Sequence, residues 1–561
     1  MLRVNQLKMP LDHSENDLKN CLITLLKINE DHLLSFKLIK RSIDARKQDN
    51  IFIIYSFDVD VRDQFSVLRR LKNNNNIKIA PVLAYKYKAK ADESLYSNKV
   101  LRPVVIGAGP CGYFAALLLA QMGYKPLLLE RGQSVRERSK KTYGFWSSRT
   151  SLDIESNVQF GEGGAGTFSD GKLYSQISDP DNYGRKVLEE LVASGASEEI
   201  LVNNRPHIGT FKLAAVVRRF RARIQELGGE IKFEKKMVDL ILTKSSRSDI
   251  AIKEYKLEGL KLSDGTVIST NYLVLAVGHS ARDTFRMLQH SGVLIKPKPF
   301  AVGFRIEHPQ MNIDQDRWGK LSGNPQLGHA EYKLIHHATN GHDVYSFCMC
   351  PGGKVVGATS GKGQVVTNGM SQHSRNERNA NSAIVVNLDL EDFSRFGRWD
   401  GDPIAGVFFQ EALEKKAFEM GGANYFAPVQ RLQDFMSAKV SIAFGSVIPS
   451  YLPGVTFADL NLSLPQVLID AIREAIPIFS SKFPFFNEPD AILTAVETRT
   501  SSPLRIPRDN SFESLNVEGL YPAGEGAGYA GGILSAGIDG IKVAEAIALC
   551  INKDLSSRSI N

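Results

Sequence analysis

Cysteine is scarce in this sequence, with five residues in 561 at Cys21, Cys111, Cys348, Cys350 and Cys550. The count is odd and the spacing wide, which excludes a disulfide-stapled scaffold and leads us to expect a reducing, cytoplasmic setting. Long hydrophobic runs are missing too: no segment approaches the ~20 apolar residues that span a bilayer. The first residues lack an apolar core followed by a small-residue cleavage site, so neither a membrane span nor a secretory signal is expected. His329, His336, His337 and His342 have no accompanying cysteine or carboxylate spacing that reads as a metal site, and no metal is expected. What remains is 43% hydrophobic and 23% charged, ordinary globular material long enough for several domains.

Acidic residues are under-represented at one end only. The formal charge is +8, yet residues 1–90 hold 17 basic and 10 acidic side chains, a net of +7, which leaves +1 for the rest of the chain. Such asymmetry predicts a separate N-terminal module. Hydrophobic patterning there reads as strand 2–11, helix 15–27, strand 33–43, strand 51–59, helix 61–72 and strand 77–87, with turn signals at Gln48-Asp49-Asn50 and in the Asn73–Asn76 run. That β-α-β-β-α-β order predicts a ferredoxin-like module over 1–92, followed by a polar linker over 88–99. Its basic surplus raises contact with nucleic acid or an acidic protein. The interleaved acids and the lack of an RNP-like aromatic motif favour a solvated face instead.

From residue 103 the pattern changes. Val104-Val105-Ile106 runs into Gly107-Ala108-Gly109-Pro110-Cys111-Gly112, then an apolar helix over 113–122, then a strand over 125–129 that ends at Glu130 and Arg131. This is a complete strand-turn-helix-strand-acid unit for a dinucleotide. Gly107 lets the strand turn, Gly109 lets backbone approach a pyrophosphate, Gly112 lets helix pack on strand, and Glu130 is placed to accept from ribose hydroxyls. A second glycine-rich loop, Phe160 to Lys172, contains Gly163, Gly164, Gly166 and Thr167, and is too long for a simple turn unless something large lies against it. Near the C-terminus, Gly524-Glu525-Gly526 ends a strand, and Gly531-Gly532-Ile533-Leu534-Ser535-Ala536 opens a helix. Such a late segment can offer an acid to a polyol and a helix N-terminus to a developing anion, which suits a flavin better than a nicotinamide. Helix 211–227 leads to a third parallel strand at 231–234, after which Val238 is placed to touch adenine. Strands near 237–242, 252–262 and 266–270 predict an antiparallel meander.

With these motifs, the chain resembles the two-dinucleotide-binding-domain flavoproteins. Within them it is similar to the FAD-dependent dehydrogenases that carry an N-terminal βαββαβ module. The likeness rests on Ser42 to Lys47, the 160–172 loop, Pro206-His207-Ile208-Gly209-Thr210, Gly278-His279-Ser280-Ala281-Arg282-Asp283-Thr284, Cys348-Met349-Cys350-Pro351-Gly352-Gly353, Asn368-Gly369-Met370-Ser371, Arg499-Thr500-Ser501-Ser502-Pro503 and Gly524 to Gly540. It implies FAD as cofactor, with the first glycine turn on its ADP half and the late Gly-Glu motif on ribitol and isoalloxazine. Glu525 stands where the wider superfamily commonly has Asp. The resemblance also implies that the strand ending at Gly278 passes beneath the dinucleotide. The expected architecture is α/β: a Rossmann-type FAD domain over 100–295 and 490–561, interrupted by an α+β substrate domain over 296–489.

Candidate chemistry falls on His207, His279, Cys348 and Cys350. Both histidines lie in glycine-flanked loops near expected strand ends, where acid–base groups meet substrate. Alternation over 345–350 predicts a strand with both thiols on one face, as packing, as flavin-facing surface or as an electron relay. Lys172 is expected to touch cofactor. Cys111 in the phosphate turn reads as inert packing. Arg282 and Asp283 are expected to pair or cap the following helix. Arg499, Arg505 and Arg508 either clamp an anion or pair with carboxylates such as Glu497 and Asp509. No second dinucleotide unit is evident, so NAD(P)H, as a transient donor, would visit the flavin directly. The expected function is FAD-dependent hydride transfer between FAD and an organic substrate or NAD(P)H. Alternatives are a flavoprotein bound to RNA or an acidic partner, and a prenyl-lipid or pigment reductase.

Overall fold

The computed structural model describes all residues except 93–100, 176, 246–252, 397–400 and 559–561. The linker expected over 88–99 lies partly, and the start of the strand expected at 252 lies wholly, outside the described residues.

The N-terminal module has the element order β-α-β-β-α-β, with a short 3-10 turn before its second strand. Its first helix, Glu15–Leu26, starts where Ser14 and Asp17 cap each other's backbone N–H groups, satisfying donors the helix itself leaves free. The strands Leu2–Met9, Leu33–Asp44, Phe52–Val61 and Ile77–Ile79 pair antiparallel, with Phe52–Val61 between the first two. Alternate residues Ile53, Tyr55, Phe57, Val59 and Val61 face the helices. The edge strand docks onto the main body through backbone: Arg41 N–H donates to Val202 O (2.7 Å) and Asn204 N–H to Arg41 O (2.9 Å). Ile51 is buried in the core of the inserted domain.

Five short strands form the parallel sheet, in the spatial order Leu520–Pro522, Leu273–Leu275, Val104–Ile106, Leu127–Leu129, Glu230–Lys232. The central three are continuous apolar triplets, because helix Pro110–Gln121 covers one face and an antiparallel meander with helix Arg282–His290 covers the other. Helix Pro110–Gln121 is buried nearly all round, sandwiched between the sheet and helix Ile533–Arg558, so its sequence shows no polar face. Strands Met237–Lys244, Tyr255–Leu262 and Val267–Ser269 form the antiparallel meander.

The inserted domain is a seven-stranded sheet in the order Ile335–His337, Asp343–Cys350, Asn379–Leu388, Phe300–Pro309, Ile492–Glu497, Ala427–Arg431, Val455–Phe457. Helix Gln466–Lys482 covers it, burying Leu468, Ile472, Ile476 and Phe479. Ile492–Glu497 corrects the expected boundary at 490: its residues are all buried and pair with Phe300–Pro309, so the chain returns to the FAD-type domain only after Glu497. No described helix is long and apolar enough to cross a membrane.

Candidate functional site

Steric demand fixes the first glycine turn. Gly107 has φ +100°, and a Cβ there would lie 2.3 Å from the Ala276 carbonyl oxygen; at Gly112 it would lie 1.9 Å from the Gly107 carbonyl oxygen. Helix Pro110–Gln121 begins here with Pro110 in its first turn and no side-chain cap, which leaves its N-terminal amides for an anion. Cys111 is buried, and burial, followed by the nearby Asp539 carboxylate, pushes its thiol far above the usual range, consistent with inert packing.

Glu130 has a first task that its position alone did not suggest. It accepts from Ala108 N–H (2.8 Å), Gly132 N–H (2.8 Å) and Gly161 N–H (3.0 Å), stapling the first turn to the second glycine loop. That loop then lies on the first turn: Gly163 N–H donates to Ala108 O (2.8 Å), and a Cβ on Gly164 would sit 2.9 Å from Gly109 Cα. Further along, a Cβ on Gly166 would meet Ile533 Cγ1 at 3.0 Å. Buried Arg138 shapes the loop from beneath by donating to the carbonyls of Asn157, Val158 and Glu162.

The C-terminal block closes the third side. Gly524 N–H donates to Asp539 Oδ2 (2.7 Å), which also pairs with Arg508, and Ser535 Oγ donates to Gly531 O (2.9 Å) at the start of helix Ile533–Arg558. Where a Cβ would stand on Gly278, Gly531 or Gly532 there is open space, with no atom within 4 Å. Next to them, His279 Nδ1 lies 3.3 Å from Glu525 Oε1, and His279 Nε2 is buried without a partner among the described residues. Bare glycine backbone, an uncapped helix start, an acid and an orphaned imidazole nitrogen form a cradle whose chemistry fits FAD: amides for pyrophosphate, Glu525 for hydroxyls, open backbone for a flat ring. Thr167, Ile533 and Ala536 border this cradle from buried positions.

Other predicted residues lie elsewhere. Arg131 pairs with Glu155 and Asp283, and Val238 is part-exposed at an irregularity in its strand. Lys172 directs its ammonium to the Met349 carbonyl, so it belongs with the thiols. His207 Nε2 lies 3.1 Å from His373 O, its ring stacked on that of His373; burial first, then Arg375, holds its pKa below the ordinary value. The expected alternation at Cys348 and Cys350 fails. Strand Asp343–Cys350 bulges between Phe347 and Cys350, Cys348 takes φ +46°, and the Cys350 thiol turns back to lie 3.3 Å from Cys348 O.

Arg499 and Arg508 are held by carboxylates rather than in an anion clamp, and Arg505 donates to Gly528 O (3.2 Å). Arg282 and Arg499 both pair with buried Glu414, Arg508 pairs with Asp539, and Asp283 pairs with Arg131 and Lys236 rather than Arg282. Glu497 pairs with Arg305, and Asp509 with Lys253. The histidine group scatters: His329, His336 and His337 meet Asp314, Glu474 and Asp343 separately. Arg305, Glu414 and Asp539 went unread. For Arg305 a signal existed, since it and Glu307 interrupt the otherwise apolar run Phe300 to Ile306 at alternate positions.

Comparison with known proteins agrees with this geometry. The family described as FAD-dependent protein, C-terminal domain-like, matches residues 299–500; the pyridine nucleotide-disulphide oxidoreductase family matches 101–293; and a domain of unknown function matches 1–60. An uncharacterized protein of Clostridium beijerinckii is 43% identical over 97% of this chain and 98% of its own length. A thiamine thiazole synthase of Methanococcus vannielii is 26% identical over 32% of this chain and 56% of its own. The solved structure of a geranylgeranyl bacteriochlorophyll reductase-like protein from Thermoplasma acidophilum covers 81% of this chain and 79% of its own at 11% identity, with a TM-score of 0.34, too low to inform the reaction. The full-length likeness to the Clostridium beijerinckii protein, together with the two family matches that flank the cradle, establishes that this chain belongs to a family of FAD-dependent oxidoreductases.

Proposed function

We propose that the enzyme transfers a hydride between its FAD and an organic substrate or NAD(P)H at the face bounded by Gly278, His279 and the Gly531-Gly532 turn. The observation that carries this reading is His279: Glu525 lies beside one ring nitrogen, and the other is buried and unpartnered next to open glycine backbone. FAD, when bound, supplies the two-electron acceptor. The chain supplies the rest. Amides at the start of helix Pro110–Gln121 hold the pyrophosphate, and those at the start of helix Ile533–Arg558 favour negative charge at the ring edge. His279 Nε2 is a place to hold a proton, oriented by Glu525 at Nδ1.

Anaerobic mixing of the flavin-loaded protein with NADH, NADPH and a panel of alcohols, amines and reduced prenyl lipids tests this. Bleaching of the flavin band by one donor, slowed at least ~10-fold in His279→Ala, is expected. A flavin that none of them bleaches, while dithionite still does, overturns hydride transfer from these donors.

A further inference from the structure

We propose that Cys348 and Cys350 form a dithiol–disulfide couple that accepts the electrons of the reduced flavin, with Lys172 and Arg305 stabilising the charge left on Cys348. The proposal rests on the FAD-dependent reading above and extends it to the acceptor. Both thiols lie outside the residues that match the pyridine nucleotide-disulphide oxidoreductase family.

In the ladder between Asp343–Cys350 and Asn379–Leu388, Phe347 faces Ala383 and Cys350 faces Asn381, so three residues advance against two. The extra residue puts Cys348 at φ +46°, a left-handed conformation that a non-glycine residue keeps only where the surroundings impose it. Here they do. Arg305 Nη1 donates to Cys348 O (3.0 Å), the Lys172 ammonium donates to Met349 O, and the Cys350 thiol lies 3.3 Å from Cys348 O. The bulge thereby turns the Cys350 thiol back onto Cys348. Gly369 leaves the room: a Cβ there would lie 2.8 Å from Cys350 Sγ and 2.6 Å from Arg305 Nη1.

The two thiols are unequal. Cys350 is fully buried and Cys348 is partly open. The Cys350 partner thiol, resisted by burial and by the Asp170 carboxylate but helped by Lys172 and Arg305, holds Cys348 well below the usual thiol range, while the same partner and burial push Cys350 up. A mere packing pair needs no buried cations. Two thiols cannot complete a tetrahedral metal site, and no group of three or more His, Cys, Asp or Glu side chains suited to a metal occurs among the described residues. Lys172 also links the pair to the cofactor cradle, since its loop is held by Glu130 at Gly161, lies on the first turn at Gly164 and meets Ile533 at Gly166.

The step balances. The Cys348–Cys350 S–S bond would break on taking up two electrons and one proton, which bound FAD in its reduced form would supply; the proton would go to Cys350 Sγ, and Cys348 Sγ would leave as the thiolate beside Lys172. The sulfur with the lower pKa is the better leaving group in such an exchange.

Anaerobic dithionite titration of the air-oxidised holoenzyme reads the couple directly. Wild type is expected to consume two two-electron equivalents per flavin, and Cys348→Ser or Cys350→Ser only one. Mass spectrometry of the oxidised wild type should find the peptide spanning both cysteines lighter by two hydrogens. Independently, peptide-resolved iodoacetamide labelling of Cys348 across pH should have its midpoint well below that of an ordinary thiol, and Lys172→Met should raise it by about a unit, slowing labelling below the new midpoint about 10-fold. A wild type that takes up one equivalent per flavin, shows no lighter peptide and labels with an ordinary thiol profile overturns the couple. A protein without flavin absorbance, even after FAD is added, would instead sink the cofactor reading beneath it.

Discussion

The first glycine turn and the charged floor of the inserted sheet are built in opposite ways. The turn is local: Gly107, Gly112 and Glu130 lie within 24 residues, and its shape follows from where a Cβ cannot go. The floor is assembled from far apart, with Arg305 meeting Glu497 across 192 positions, and the helix-to-helix pair Arg282–Glu414 spans 132. Local sterics tolerate no substitution but tax little else. Long-range buried charge holds domains in register, and its partners are compelled by one another: a guanidinium without its carboxylate would be stranded in a low dielectric.

The sharpest way to break that contrast is Glu414→Gln. Glu414 is fully buried and bonds both Arg282 and Arg499, and Thr498 donates to it as well. Removing its charge leaves two cations uncompensated, for an expected loss of about 3–5 kcal/mol in unfolding free energy. Burial alone would raise its pKa, but the two guanidiniums outweigh it and hold the carboxyl down at about 2. An unfolded glutamate ionises near its ordinary value of 4.5, so the folded state gains while Glu414 is charged. This stabilisation is complete above about pH 5 and drains away as pH falls from 4.5 towards 2. Urea melts of wild type and Glu414→Gln between pH 7 and 3 should converge at the acid end; parallel curves would place the stability elsewhere.

Gly112→Ala should come second. Its Cβ would press on a backbone oxygen that cannot swing away, so a loss of about 1–3 kcal/mol is expected, with flavin uptake abolished. Thermal melts with and without FAD check both halves.

This local-versus-distant division also explains what the sequence made legible. The parallel sheet, the meander and the three glycine segments could be read because each is dictated by neighbours along the chain: apolar triplets, turn residues, positive φ. The destination of each arginine could not, because Arg499 and Arg508 carry no mark of which carboxylate the fold delivers to them. Cys348 failed for a related reason. Alternation assumes an unbroken ladder, and the bulge that breaks it is imposed by Arg305 and Lys172, 43 and 177 positions away. The boundary near 490 slipped because an apolar strand such as Ile492–Glu497 suits either sheet until its partner is known.

A smaller effect is expected where the basic N-terminal module meets the body. Arg41 reaches the Gln326 side chain (2.6 Å) and carbonyl (3.1 Å) from an exposed position. Arg41→Ala should cost no more than about 1 kcal/mol, because docking rests on backbone pairing with Val202 and Asn204 and on buried Ile51. A larger loss in chemical denaturation would make side-chain charge the tether.

The smallest change in stability should accompany the clearest loss of function. Gly531→Ala places a methyl group where no atom lies within 4 Å and where φ is not in the left-handed region, so the folded protein has no steric reason to object. Unfolding free energy should stay within about 0.5 kcal/mol of wild type. If the open backbone at Gly531 is the floor on which the cofactor ring rests, the methyl group occupies that ring's space, and FAD affinity should fall at least ~10-fold, equivalent to about 1.4 kcal/mol of binding. Gly112→Ala lowers stability and binding together, whereas Gly531→Ala separates them. Isothermal titration of the apoprotein with FAD makes the distinction, and undiminished affinity in Gly531→Ala would move the ring out of this cradle while leaving the pyrophosphate turn intact.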